Sequence, residues 1–145
     1  MIIILTGQPN SGKTTLALTL EIFLTKRNRT AVTIDGDKLR DISNNKDYSI
    51  SGRKSNVSLA IEMAKTSNKL YNYTIVSLVS PFRNLRESLK NDSNHIVKEV
   101  HLHSNRIREG KMVDYYEPPL NNYLDIDTDK NTIEQSIKLI LDYIQ

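Results

Sequence analysis

Residues 1–15, MIIILTGQPNSGKTT, contain the pattern that is most informative about the fold. The apolar run at residues 1–6 is typical of a strand buried on both faces. A glycine-containing loop follows, and apolar residues then recur at helical spacing, at Leu16, Leu20, Phe23 and Leu24. This spacing predicts a helix over residues 13–27. A buried strand, a tight loop and a helix in this order predict an α/β fold that carries a site at the junction of strand and helix.

The loop matches the phosphate-binding pattern G-x-x-x-x-G-K-[ST]. Its glycines let consecutive backbone N–H groups turn toward phosphate oxygens, and the helix adds the positive end of its dipole. In this pattern Lys13 reaches the β- and γ-phosphates, and the Thr14 hydroxyl is positioned to bind Mg²⁺. The pattern predicts binding of ATP or GTP and does not distinguish a kinase from a switch or a motor. The residues predicted to bind the nucleotide are Gly7, Gln8, Pro9, Asn10, Ser11, Gly12, Lys13, Thr14 and Thr15.

The rest of the chain alternates strand-like and helix-like segments, which is typical of a parallel sheet with crossover helices. Further strands are predicted at residues 31–35, 73–79, 95–102 and 123–126. Helices are predicted at residues 53–70 and 84–91 and near the end of the sequence, and loops at residues 41–52 and 103–121. These segments predict one domain over residues 1–145, a P-loop NTPase with a five-stranded parallel sheet in three α/β/α layers.

The last helix has its own start signal. Asn131 is the predicted N-cap, with Glu134 as its capping-box partner. The predicted buried stripe of this helix consists of Ile133, Ile137, Ile140, Leu141 and Ile144.

Composition excludes several classes of protein. The absence of cysteine excludes disulfides, thiolate zinc sites and cysteine nucleophiles, and it is compatible with the expected cytoplasmic location. There is no run of 18 apolar residues, and residues 1–5 lack the basic segment of a secretory signal, so no membrane association is expected. The net charge of +3 gives little support for a nucleic-acid partner and suits a small anionic substrate.

Two carboxylates follow the second predicted strand, in the sequence Asp35-Gly36-Asp37. Ligands gather at the carboxyl edge of an open α/β sheet. Beside a phosphate-binding loop, such carboxylates hold Mg²⁺ through water or accept a proton from a substrate hydroxyl. The alternative is an Asp-Gly turn with two solvated acids.

Five blocks of sequence resemble the adenylylsulfate (APS) kinase family, whose members move the γ-phosphate of ATP onto a nucleotide 3′-hydroxyl. The blocks are residues 7–15, Asp35 to Arg40, the pair Arg53 and Asn56, Ser77 to Arg83, and Tyr116-Glu117-Pro118-Pro119 through Asp127-Thr128. Their order and spacing are close to those of the family. The resemblance implies a kinase that uses ATP and Mg²⁺, acts on a small nucleotide substrate and can form a homodimer.

The resemblance also implies roles for single residues. Lys13 and Asp37 would be catalytic, with Asp37 as base or orienting group, and Asp35 would lie on the Mg²⁺ side together with Thr14; the order of the two aspartates stays open. The implied substrate-binding residues are Asp37, Arg40, Tyr48, Arg53, Asn56, Ser80, Pro81 and Phe82. Guanidinium forks suit the paired oxyanions of a phosphosulfate, and Tyr48 would stack on the substrate base. Alternatives are a surface tyrosine at position 48 and ordinary core packing for Phe82.

The chain departs from the family between its fourth predicted strand and Tyr116. By comparison with the family, residues 103–121 are a reduced lid that lacks roughly 15–20 residues, and lids exclude water and complete kinase sites. Arg106 and Arg108 are either charge-stabilising arginines over the γ-phosphate or part of a solvated loop. His95, His101 and His103 show no zinc-ligand spacing and are interpreted as structural or solvated.

The shortened lid leaves the acceptor open. One alternative is another nucleotide, such as cytidine diphosphoramidate, and a further one is a hydroxymethylated base in DNA. A nucleotide-binding protein that has lost catalysis is a third hypothesis, against which the intact Lys13, Thr14, Asp35 and Asp37 argue. A GTPase switch is disfavoured because the sequence has no N-K-x-D element for guanine.

Overall fold

The sheet contains five parallel strands. The computed structural model describes residues 1–106 and 112–145. Its strands are β1 (Ile2–Thr6), β2 (Ala31–Asp35), β3 (Tyr73–Ser77), β4 (Val97–His103) and β5 (Tyr123–Asp127), in the spatial order β2-β3-β1-β4-β5. β1 lies at the centre, where Ile4 is opposite Val76 of β3 and Glu99 of β4. All strands therefore end at one edge of the sheet, where α/β proteins bind ligands.

In the described part of the chain, five helices cover the two faces of this sheet. They are α1 (Lys13–Lys26), α2 (Gly36–Ser43), α3 (Ile50–Ser67), α4 (Arg83–Lys90) and α5 (Ile133–Ile144). Helices α1 and α5 pack on one face, around Leu20 and Ile140, and α2, α3 and α4 pack on the other, around Leu39 and Ala60. The predicted three-layer α/β fold with a five-stranded parallel sheet is confirmed. No described helix is long and apolar enough to cross a membrane.

Helix α2 departs from the sequence prediction, which places no helix at residues 36–43 and a loop at residues 41–52. The structure instead continues from β2 directly into α2, and α3 begins at Ile50 rather than at residue 53. The Asp35 side chain caps α2 by accepting a hydrogen bond from the Lys38 N–H, and Ser49 caps α3 through the Gly52 N–H. Helix α2 is short and almost wholly polar, so it has no apolar stripe from which periodicity could have predicted it.

The start of α5 differs by one residue from the prediction. Thr132, not Asn131, is the N-cap, and Gln135 completes the capping box in place of Glu134. The Thr132 hydroxyl accepts the Gln135 N–H, and the Gln135 side chain accepts the Thr132 N–H, so both backbone donors at the start of the helix are satisfied. The Asn131 side chain instead donates to the Asp127 carbonyl oxygen in the preceding turn. With this register Ile133 is 50% exposed and does not belong to the buried stripe.

Candidate active site

A cleft of about 760 Å³ opens at the carboxyl edge of β1, β2 and β3. It brings most of the predicted site residues together: Pro9, Asn10, Gly12, Lys13, Thr14, Thr15, Asp35, Asp37, Arg40, Tyr48, Arg53, Asn56, Ser80 and Pro81 line it. Gly7, Gln8 and Ser11 belong to the same loop without lining the cleft. Phe82 lies in the core below, where its ring stacks on Tyr115 at a centroid distance of 5.9 Å.

The loop between β1 and α1 has the backbone of an anion-binding nest. Gly7, Asn10 and Gly12 have positive φ angles of 154°, 64° and 93°. A Cβ atom on Gly7 would lie 2.2 Å from the Leu102 carbonyl oxygen, so only glycine fits there. Gly12 begins α1 without any side-chain cap, which leaves the N–H groups of the first helical turn for an anion.

Lys13 lies inside this loop and is only 8% exposed. Its Nζ donates to the Gln8 carbonyl oxygen at 2.7 Å and to the Ser11 Oγ at 3.2 Å. Burial lowers the pKa of Lys13 to about 8, although the carboxylates of Asp37 and Asp35 act in the opposite direction. The nearby carboxylates therefore do not fully offset the loss of water around the ammonium group, and phosphate oxygens bind a buried cation strongly under this condition.

The two predicted Mg²⁺ residues are in direct contact. The Thr14 hydroxyl donates to the Asp35 Oδ1 at 2.9 Å, and Asp35 is held in place because its Oδ2 accepts the Lys38 N–H. A hydroxyl and a carboxylate are hard oxygen donors that suit Mg²⁺, which takes its remaining ligands from water and phosphate. Across residues 1–106 and 112–145 no group of three His, Cys, Asp or Glu side chains is arranged to hold a metal ion.

Asp37 differs from Asp35 in its surroundings. It is exposed in the first turn of α2 and lines the cleft, two residues beyond the buried Asp35. Asp35 accepts hydrogen bonds from the Thr14 hydroxyl and the Lys38 amide. The structure thus separates a carboxylate already hydrogen-bonded beside Thr14 from one that faces the open cleft.

Two arginines and Tyr48 form the far wall of the cleft. The Arg40 guanidinium is 4.0 Å from the centre of the Tyr48 ring, and that of Arg53 is 5.5 Å away. Arg40 is buried, and its Nη1 contacts oxygens of Asn45 and Asp47 at 2.9–3.2 Å. Tyr48 therefore carries cations on its ring, an arrangement that concentrates positive charge on one side of the cleft.

Asn56 is buried on the same wall. Its Nδ2 is 3.5 Å from the Gly36 carbonyl oxygen, and its Oδ1 has no hydrogen-bond partner among the described residues. A buried acceptor without a partner costs stability unless a ligand donates to it. Asn56 lies in the second turn of α3.

A buried ionic network missed by the sequence reasoning fixes the turn after β3. Ser80 has a φ of 45°, and Arg86, 1% exposed, donates to its carbonyl oxygen. The Arg86 Nε also contacts the Glu99 Oε1 at 2.6 Å, and Lys90 contacts Glu99 from the other side at 2.6 Å. A glutamate inside a buried strand was the available signal, since such a charge needs partners.

The loop after β4 brings one of the two candidate arginines to the cleft. Arg106 lines it, and its Nε lies 3.4 Å from Asp129. Thr128, which is near Arg106, donates to the Ser11 carbonyl oxygen at 3.0 Å and so touches the phosphate-binding loop. Arg108 lies outside the described residues.

Comparison with known proteins decides the family. The sequence profile described as adenylylsulphate kinase matches residues 1–124. The chain belongs to the adenylylsulphate kinase family. An adenylyl-sulfate kinase from Prochlorococcus marinus is 30% identical over 167 positions, which cover 97% of this chain and 81% of the relative.

Solved structures agree with this membership at the level of the fold. The APS kinase of Mycobacterium tuberculosis in complex with AMPPNP and APS superimposes with a TM-score of 0.78 at 20% identity, covering 99% of this chain and 96% of the other. A hexameric APS kinase from Thiobacillus denitrificans has a TM-score of 0.79 at 26% identity, covering 99% of this chain and 28% of the other.

This family member is short. Its alignment with the Prochlorococcus relative extends over 167 positions, whereas the chain has 145 residues. At least 22 positions of that relative therefore have no counterpart in this chain, and they lie inside the matched region.

Proposed function

We propose that this protein transfers the γ-phosphate of ATP to the 3′-hydroxyl of adenylyl sulfate. The observation that carries the proposal is the composition of one cleft in a member of the adenylylsulphate kinase family. A buried lysine in a phosphate-binding loop and the Arg40–Arg53 pair both line this cleft. A carboxylate without a capping role, Asp37, lines the cleft as well.

Each residue then has one role in an in-line transfer. The loop amides and the Lys13 ammonium bind the phosphates and neutralise charge that develops on them. Asp37 orients the attacking hydroxyl and accepts its proton, while Arg40, Arg53 and Asn56 bind the phosphosulfate of the acceptor. Thr14 and, through water, Asp35 would hold Mg²⁺, which would add positive charge at the phosphates.

A related nucleotide with a different base is the second candidate acceptor. The position of Arg40 over the Tyr48 ring supports this candidate. Because Arg40 lies 4.0 Å from the centre of the Tyr48 ring, that ring is already engaged with a cation. Recognition by this wall then depends on anionic charge more than on the identity of a stacked base. Cytidine diphosphoramidate carries its negative charge on a comparable diphosphate-like group and tests this directly.

The first test compares ADP release from Mg²⁺-ATP with adenylyl sulfate, with cytidine diphosphoramidate and with no acceptor. We expect turnover with adenylyl sulfate at about 1–100 s⁻¹, the usual range for kinases. Turnover with the cytidine compound alone would keep the mechanism and change the substrate. ATP binding without stimulation by either acceptor would contradict the proposed kinase activity on these nucleotides.

The affinity for ATP is expected to fall at alkaline pH. Lys13 has a pKa of about 8 in the free protein, and bound phosphates raise that value because they stabilise the ammonium form. Binding is thus at full strength below pH 8 and weakens as Lys13 loses its proton, by about tenfold between pH 7 and 9. Titration calorimetry across this range measures the effect, and a flat profile above pH 8 would contradict it.

Self-association and location complete the proposal. We place the reaction in the cytoplasm and propose that the chain can form a homodimer; the hexameric APS kinase of Thiobacillus denitrificans supports self-association in general. Light scattering of the purified chain distinguishes a dimer from a monomer.

A further inference from the structure

We propose that Gln8 is a positioning residue that joins the phosphate-binding loop to the return segment, residues 112–121, and thereby limits the access of water to the reacting phosphates. The proposal rests on the kinase activity proposed above. Gln8 is the second residue of the phosphate-binding pattern, where the pattern itself demands no particular side chain. Its side chain nevertheless makes two specific hydrogen bonds to a distant part of the chain.

The Gln8 amide pairs with one peptide unit of the return segment. Its Nε2 donates to the Val113 carbonyl oxygen at 2.9 Å, and the Val113 N–H donates to its Oε1 at 2.9 Å. Val113 is 4% exposed, so its N–H would lack a partner if Gln8 were absent, whereas its carbonyl oxygen would still accept the Tyr116 N–H at 3.1 Å. A side chain that satisfies a donor and an acceptor of the same residue fixes that residue in position and orientation.

A second contact joins the same two regions. The Thr6 hydroxyl lies 3.1 Å from the Tyr116 hydroxyl and donates its one hydrogen to the Val79 carbonyl oxygen at 2.8 Å. Tyr116 must therefore be the donor in the pair with Thr6. The return segment is thus bound to Thr6 at the end of β1 and to Gln8 in the loop that follows, two positions further along the chain.

Gln8 also contacts the lysine of the site. Its backbone carbonyl oxygen accepts the Lys13 Nζ at 2.7 Å, while its side chain holds Val113. Met112, next to Val113, lines the cleft. Gln8 therefore connects the phosphate-binding loop with residues 112–113 in the wall of the cleft. If Lys13 moves toward a bound phosphate, its hydrogen bond to the Gln8 carbonyl changes, and Gln8 is also the residue that holds Val113 in place.

The return segment has other attachments that do not depend on Gln8. The Glu117 carbonyl oxygen accepts Arg86 Nη2 at 2.6 Å, and the Asn121 carbonyl oxygen accepts Lys90 Nζ at 2.9 Å. Removing the Gln8 amide is thus expected to release only the end of the segment beside the cleft. The variant Gln8→Leu keeps the size of the side chain and removes both hydrogen bonds.

Hydrogen exchange of the full-length protein, with and without a non-hydrolysable ATP analogue, tests the connection. In Gln8→Leu we expect exchange of the Val113 amide to be about tenfold faster or more, because its acceptor is gone. Analogue binding should change this exchange in the wild type and not in the variant. Gln135→Leu is the matched control, since it removes the same amide from the capping box of α5, outside the cleft, and should leave Val113 unchanged.

Kinetics supply the second readout. We expect Gln8→Leu to raise the ratio of acceptor-independent ATP hydrolysis to phosphate transfer by about tenfold, since water enters where the wall is loose. The proposal would be overturned if the Val113 amide exchanged at the same rate in Gln8→Leu as in the wild type. It would also be overturned if the ATP analogue did not change this rate in the wild type, and both results are independent of the kinase substrate. Faster exchange with an unaltered ratio would overturn the role in excluding water. Failure of the kinase proposal is seen separately, as the absence of acceptor-stimulated ADP release in the wild type.

Discussion

Replacing Lys13 by methionine is expected to abolish phosphate transfer and, at the same time, to stabilise the nucleotide-free protein. Methionine has a similar length and no charge, so the side chain still packs inside the phosphate-binding loop but the positive charge is removed. Removing one preorganised charge from a transition state typically lowers kcat by about 10²–10³-fold. Steady-state kinetics with saturating ATP measure this loss.

The gain in stability follows from the pKa of Lys13. Burial lowers this pKa to about 8 from the ordinary value of 10.5, so between these values the unfolded state binds more protons than the folded state. Wild-type stability therefore rises with pH from about 8 to 10.5, and below pH 8 the full cost of the buried charge is present. Lys13→Met removes that cost, partly offset by two lost hydrogen bonds, and should raise the melting temperature by about 3–5 °C at pH 7.

An exposed lysine on the same helix provides the control. Lys26→Met changes a side chain in the last turn of α1, away from the cleft, and should alter neither kcat nor the melting temperature appreciably. A Lys13→Met protein that melts below the wild type would show that the lysine supports the loop in its free state, and the argument from burial would then be wrong.

Exchanging the two aspartates for asparagine, one at a time, is expected to separate their roles. Asp37→Asn should lower kcat by about 10²–10⁴-fold with little change in the affinity for ATP, because the variant loses a proton acceptor beside the attacking hydroxyl. Asp37 is exposed, so the melting temperature should stay close to that of the wild type.

Asp35→Asn should act on Mg²⁺ instead. Asparagine has one acceptor oxygen, which is enough to accept the Lys38 N–H and keep the cap of α2, but it loses the second acceptor, which receives the Thr14 hydroxyl, and the negative charge beside Thr14. The Mg²⁺ concentration for half-maximal rate should rise by about 10–100-fold. The reverse pattern, with the Mg²⁺ requirement changed by Asp37→Asn and kcat by Asp35→Asn, would exchange the two assignments.

The parts of the fold that the sequence predicts are those that local patterns determine. Residues 1–15 predict β1, the loop and α1, because the apolar run and the glycine pattern are contiguous. Helix α2 is not predicted from the sequence because its eight residues contain few apolar side chains. Its N-cap, Asp35, is also the last residue of β2, so no loop separates the strand from the helix. Thr132 and Asn131 compete for one cap, and only the hydrogen bonds of the folded chain distinguish them.

The site divides in the same way. Lys13, Thr14 and Asp35 follow from short motifs, and the structure brings them together as expected. The supporting contacts join residues far apart in the chain, as Gln8 and Val113 do, and no local pattern contains both members of such a pair. The resemblance to a family names candidate residues for substrate contact, but the residues that hold those candidates in place are found only in the folded molecule.

The most direct test of the proposed function is the position of the new phosphate on the product. The purified protein is incubated with Mg²⁺-ATP and adenylyl sulfate, and the nucleotide product is isolated and examined by mass spectrometry and ³¹P NMR. We predict a product heavier by one phosphate, with a phosphomonoester coupled to the ribose 3′ position and one ADP formed for each product molecule. Unmodified adenylyl sulfate accompanied by ADP and inorganic phosphate, or a phosphate at any other position, would contradict it.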